Sequence, residues 1–130
     1  MRVERSMKLA APTLQALLEQ NVLEIKFTRR RQKQNLPVTR RMLCTNSQSL
    51  LRSENGANVL NYRPTGNSPV NKTLNNVIIT WDIMKQDYRC VSMDDCVLIT
   101  QLPDDDKFWE YFNTNILPMT PAQKEAFMNS

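Results

Sequence analysis

The chain has 130 residues, 41% apolar and 23% charged, with a net charge of +4 and an isoelectric point near 9.1. That length suits one domain with one ordinary core, and no apolar run approaches the roughly 20 residues of a membrane span. Histidine is absent, and the only cysteines, Cys44, Cys90 and Cys96, lack C-x-x-C spacing; Ser–His and Cys–His nucleophile pairs are thereby excluded and a metal centre is disfavoured.

"MRVERSMKLAAPT" has a charged residue every few positions and no continuous apolar stretch, so no secretion signal is read and the cytosol is expected. Pro12 and Thr13 then open "TLQALLEQN", where Leu14, Leu17 and Leu18 follow the i, i+3, i+4 rhythm of an amphipathic helix. Thr13 suits its N-cap and Asn21 its end. "VLEIKFTRR" switches to period two, with Leu23, Ile25 and Phe27 opposed to Glu24, Lys26 and Thr28, the pattern of a half-buried strand.

"RRQKQNLP" connects to a return strand, "VTRRMLCT", with Met42 and Cys44 on one face and Arg41, Leu43 and Thr45 on the other. Residues 46–76 read as a long insertion in which "SQSLLRS" forms one helical turn and "NYRPTGNSPVNKTLNN" forms a loop. "NVIITWDI", "YRCVSM" and "CVLITQL" are three further strands, the first pair joined by a short turn and the last two by Asp94–Asp95.

"DDDKFWEYFNTNIL" is a helix with its Asp run at the positive N-terminus. Thr120, Pro121 and Gln123 supply the N-cap, first-turn proline and capping-box partner of a closing helix. The predicted fold is mainly β with flanking α: a small five-stranded barrel, an N-terminal helix and C-terminal helices. It forms a single domain over 1–130, with the helix and barrel in 12–101, the insertion at 46–76 and a helical extension at 104–130.

"IKFTRRR…TRRMLCT" and, later, "ITWDIMKQDYRCVSMDDCVLI" resemble small phage-encoded domains with an Sm-like, Src-homology-3-type β-barrel, related to the WYL ligand-sensing class. Those domains show "V-x-F-T-K", "R-x-M-x-C-T" and "V-W-D-…-W-R-S-F" segments. Here the matches are Phe27 and Thr28, then Arg40, Met42, Cys44 and Thr45, and finally Trp81, Asp82 and Arg89. The family's D-G turn is replaced by "RRRQKQNLPV", Tyr88 stands where Trp is common, and the aromatic C-terminal helix lies outside the pattern. The resemblance covers roughly residues 14–100 in pieces. It implies the barrel, a phage origin, and a regulatory or binding role in the host cytoplasm.

Charge is graded along the chain. Residues 1–45 carry ten Lys and Arg against three Glu, whereas 101–130 carry two against five acids. Arg29 to Arg41 holds six cations in thirteen positions with no acid. Lys26, Arg29, Arg30, Arg31, Lys33, Arg40 and Arg41 are accordingly candidates for a phosphate-binding edge, with Tyr62 and Arg63 as a stacking and cationic pair. The bland alternative is a hairpin kept soluble by its charges.

Arg41 and Arg89 are candidates for a small anionic ligand, against the simpler expectation that Arg89 pairs with Asp82 across its hairpin. Trp81 is in phase with Val77 and Ile79 and is assigned to the core. Phe108, Trp109 and Phe112 are candidates for a protein-partner surface, with packing on their own domain as the competing reading.

With no histidine, no Walker-type loop and no G-x-G-x-x-G, the expected function is non-enzymatic, without cofactor or metal. DNA or RNA bound through the basic hairpin leads. A role docking on and modulating a host or phage complex, such as a nuclease or the transcription machinery, and a small-anion sensor are the alternatives.

Overall fold

The computed structural model of the chain describes residues 7–30, 34–64 and 77–130. Its elements run β1 (Met7–Lys8), α1 (Ala11–Gln20), β2 (Asn21–Thr28), β3 (Thr39–Thr45), α2 (Gln48–Leu51), α3 (Glu54–Asn58), β4 (Val77–Asp82), β5 (Asp87–Ser92), β6 (Val97–Pro103), α4 (Asp106–Tyr111) and α5 (Pro121–Met128). Between α4 and α5 the helix widens into π-helical turns at Phe112–Ile116. Among the described residues no helix is long and apolar enough to cross a membrane.

All strand neighbours are antiparallel, in the order β1-β6-β2-β3-β4-β5. The ladder is open between its two edge strands, yet the sheet cannot be flat. Four residues, Met93–Cys96, join β5 to β6, which lie four strand spacings apart in that order. A flat sheet puts such strands ~19 Å apart, whereas five backbone steps reach at most ~18 Å when fully extended. The connection is in fact a turn: the Cys96 amide donates to the Met93 carbonyl at 3.4 Å, and Asp95 takes a φ of 52°. The sheet therefore curls until the β5–β6 turn meets the end of β2, where the Thr28 amide donates to the Asp94 carbonyl at 3.1 Å. A register shift between Glu24 and Ile25 leaves Ile99 without a partner on β2, a bulge that adds bend where β6 crosses it.

Curling gives the strands two covered faces. Leu23, Ile25 and Phe27 of β2 join Met42, Cys44, Ile78 and Val91 beneath Leu14 and Leu18 of α1. On the opposite face Val22, Leu43 and Trp81 meet Leu50, Leu51 and Leu60, with Phe108, Phe112, Ile116 and Met128 closing over them. The half-buried reading of β2 is thus corrected: Val22 is fully buried and Glu24 is only 2% exposed, because the C-terminal helices cover the face expected to be wet.

Two local expectations change as well. α1 begins at Ala11, so Thr13 lies inside the helix and gives it no cap; Asn21 does end it, its side-chain amide donating to the Leu17 carbonyl at 3.0 Å. Within 46–64 the insertion holds the expected helical turn, at Gln48–Leu51, and a second that was not read from the sequence, at Glu54–Asn58. Ser47 accepts from the Leu50 amide and Ser53 from the Gly56 amide. Gly56 is required by close approach, since a Cβ there would lie 2.2 Å from the Leu51 carbonyl oxygen. Residues 65–76 lie outside the described residues.

The C-terminal helices are tied to this body through polar caps. Asp104 accepts from the Ser47 hydroxyl at 2.6 Å and the Ser49 hydroxyl at 3.2 Å. Asp105 caps α4 by accepting from the Lys107 amide. The capping box read from Thr120 and Gln123 is present in α5.

Candidate anion-binding groove

Where β2 ends and β3 begins, the chain sets Arg29, Arg30 and Arg40 around one depression. The backbone fixes the place: the Arg29 amide donates to the Val38 carbonyl at 2.8 Å, closing the hairpin base. The β4–β5 hairpin adds Lys85 and Arg89 to the same concavity, and α5 adds Glu125. Five cations and one acid thus surround a volume of about 470 Å³. Phe27, Leu36, Val77 and Met128 make up its apolar part.

The five cations are not equally free. Arg40 is committed: its guanidinium meets the Asp82 carboxylate, with Asp82 only 1% exposed. Asp82 also accepts from the Met84 and Lys85 amides at 3.0 and 3.1 Å, so it organises the turn that carries Lys85. Arg30 pairs with Asp94 at 3.0 Å and Arg89 with Asp87 at 2.9 Å, both at exposed positions. The Arg30 hydrogen bond, followed by one involving Ser92, holds the Asp94 carboxyl below its usual range. Exposed pairs of this kind are weak and are readily exchanged for another anion.

Among the described residues, Arg29 and Lys85 remain short of counter-charge. Arg29 donates to the neutral Asn129 side chain at 2.8 Å. Its pKa is lowered, first by partial burial and then by the charge of Arg40. Lys85 is exposed and forms no ion pair among the described residues. An anion seated beside Arg29 would offset the repulsion it feels from Arg40, which is the electrostatic basis of the site.

The basic segment does not form a single rim. Side chains alternate along β3, so Arg40 and Arg41 find different partners. Arg41 lies outside the groove, 3.0 Å from the buried Glu24 carboxylate and 5.0 Å from the centre of the Phe127 ring. Its Nε is poorly aligned for a straight hydrogen bond to Glu24. Lys26 sits opposite Arg41 in the ladder, half-buried. Arg31 and Lys33 lie outside the described residues.

Three more candidates move. Arg89 does not pair with Asp82: it stands opposite Thr80 in the register and bonds Asp87, while Asp82 goes to Arg40. Tyr62 is not an exposed stacker. It is 6% exposed, edge-on to Trp81 at 5.1 Å, with its hydroxyl 2.8 Å from that of Tyr88. That bond and the burial of Tyr88 push the Tyr88 phenol pKa upward, burial being the larger cause. Arg63 remains exposed, bonded to the Asn61 side chain.

Phe108, Trp109 and Phe112 pack as a trio, Trp109 edge-on to both phenylalanines, with Phe108 at 0% and Phe112 at 6% exposure and Trp109 half-buried against them. They are core, as the packing alternative held, and offer a protein partner little face.

Lys85, Glu125 and Asn129 are among the groove residues that sequence inspection missed. Lys85 lies in the short turn between β4 and β5, Glu125 on a helix distant in sequence and Asn129 at that helix's C-cap. A second depression, of about 520 Å³, is lined by Gln15, Glu19, Asn46, Gln48, Tyr88 and Asp104. Its two carboxylates make it unfit for an anion.

No protein-family model matches the chain, and neither a curated protein nor a solved structure matches it significantly.

Chemically, the groove offers guanidinium forks and one ammonium around an apolar floor, suited to bidentate and point-charge contacts with phosphate.

Proposed function

We propose that this is a non-enzymatic binding protein that takes the phosphates of a single-stranded DNA or RNA into the groove formed by Arg29, Lys85 and Arg89. The observation that carries the reading is the convergence of five cations from two hairpins on one concavity of about 470 Å³. A space of that size admits a flexible strand segment and not the body of a duplex. Its contacts are to phosphate, so affinity depends little on base sequence. The strand order and the curl support reading the sheet as the Sm-like, Src-homology-3-type barrel that the sequence resembles, and that resemblance carries the phage origin and cytosolic setting.

Since Arg40 and Arg41 are held by buried carboxylates, fewer phosphates are met than the basic run suggests. About three contacts on a single strand correspond to a slope near −2 in log K against log salt. The triple variant Arg29→Ala, Lys85→Ala, Arg89→Ala is expected to lose at least about tenfold in affinity for oligonucleotides and most of that slope. Equal binding by parent and variant at low salt refutes the reading.

A small anion bound at the same place is a second reading; it keeps Arg89 of the expected Arg41–Arg89 pair, while Arg41 lies outside the groove. Thermal stabilisation by mononucleotides that disappears in Arg89→Ala supports it. Absence of any stabilisation in the parent protein ends it.

A further inference from the structure

The last residues of the chain already occupy part of the groove. Asn129 accepts from Arg29 at 2.8 Å, the Met128 sulfur lies 3.9 Å from an Arg40 nitrogen, and the Phe127 ring lies under the Arg41 guanidinium. The Ser130 hydroxyl is 3.3 Å from the other end of Arg41. Four consecutive residues therefore contact three arginines of the hairpin, Met128 and Asn129 within the groove and Phe127 and Ser130 at Arg41 outside it, and Glu125 is the one carboxylate among the groove-lining residues.

The element that delivers them is weakly held. Of the eight residues of α5, Met128 alone is buried, and the segment before it includes Leu117 at 62% exposure. Its first amides are satisfied by its own capping box and draw no partner from the rest of the protein, while eight residues are too few to keep helical hydrogen bonds once undocked. An element with few buried apolar contacts opens at low free energy. A phosphate competes for the same donors with a full charge, where Asn129 brings only a neutral oxygen.

We infer that the end of α5 is a displaceable internal occupant of the anion groove, and that a phosphate-bearing strand must push it aside to reach Arg29. The inference rests on the nucleic-acid reading above. Docking of α5 then lowers apparent affinity by the fraction of molecules in which the groove is closed, and detaching it restores that affinity.

Two variants test this with a short fluorescent oligothymidylate as probe. One ends at Met119; the other, Glu125→Ala with Asn129→Ala, keeps every apolar contact of α5 and so guards against a folding defect in the first. Both are expected to bind about tenfold more tightly than the full chain, a coupling of ordinary size. In the full chain, saturation with the probe is expected to strip hydrogen-exchange protection from the Lys124 and Asn129 amides, which now bond to the Thr120 and Glu125 carbonyls at 3.0 and 3.1 Å. The inference is overturned if the parent binds the probe while both variants bind it no better, or if those amides stay protected at saturation. If neither parent nor variants bind, the nucleic-acid reading itself has failed, and this inference with it.

Discussion

Arg40 on β3 and Asp82 at the end of β4 form a buried ion pair that joins the two hairpins framing the groove. Asp82 is satisfied by that guanidinium and by two turn amides, so one carboxylate sets the position of Lys85 and the rotamer of Arg40 together.

Asp82→Ala strands a largely buried cation and two amides. Removing one partner of a buried pair costs about 3–5 kcal/mol, and urea unfolding is expected to show a loss of that size. Arg89→Ala removes only an exposed pair and is expected to change stability by less than about 1 kcal/mol. Comparable losses in the two variants would contradict the pairing described here.

Phe108 is completely buried beneath the C-terminal helices. Phe108→Ala leaves a cavity at the centre of that face and is expected to destabilise the fold by about 3–5 kcal/mol. The same unfolding measurement checks it. A near-neutral result would instead place this ring at a surface.

Gly56→Ala brings a methyl group against the Leu51 and Leu50 carbonyl oxygens, at 2.2 and 2.4 Å, and backbone atoms yield little. A loss of about 1–3 kcal/mol is expected, although alanine ordinarily favours a helix. Stabilisation by this substitution would mean that α2 and α3 are not packed as described.

Cys90 is exposed and Cys44 and Cys96 are buried, so an aromatic disulfide reagent is expected to titrate one thiol quickly and three only after unfolding. Burial raises the Cys96 pKa from 9.0 to about 11 and pushes Cys44 higher still, burial being the first cause and the nearby Asp82 charge the second. The native state thus holds these protons more tightly than the unfolded chain. Their contribution is intact below about pH 9 and is lost as pH rises, by about 1.4 kcal/mol per unit for each thiol between its two values. Comparing Cys96→Ala with the parent across pH 8 to about 11 should reveal a shallower fall in the variant.

Much of the fold was legible because strands and helices announce their periods locally. β2, β3, β4 and the capping box of α5 stand where alternation and spacing put them. Trp81, assigned to the core by its phase, is 3% exposed. Burial of Glu24 and Tyr62 was not legible. A strand's second face looks solvent-facing until distant helices are known to cover it, and a loop tyrosine gives no sign that its ring returns to Trp81.

By itself the chain's composition established two things about function: it has no histidine for acid–base work, and its positive charge is concentrated before residue 46. Only the tertiary structure decided which of those charges are spent. Asp82 and Asp94 neutralise Arg40 and Arg30 from beyond residue 80, while Lys85 joins Arg29 from a different hairpin. Electrostatic energy depends on separation through space and on local dielectric, and strand order, not sequence distance, sets both.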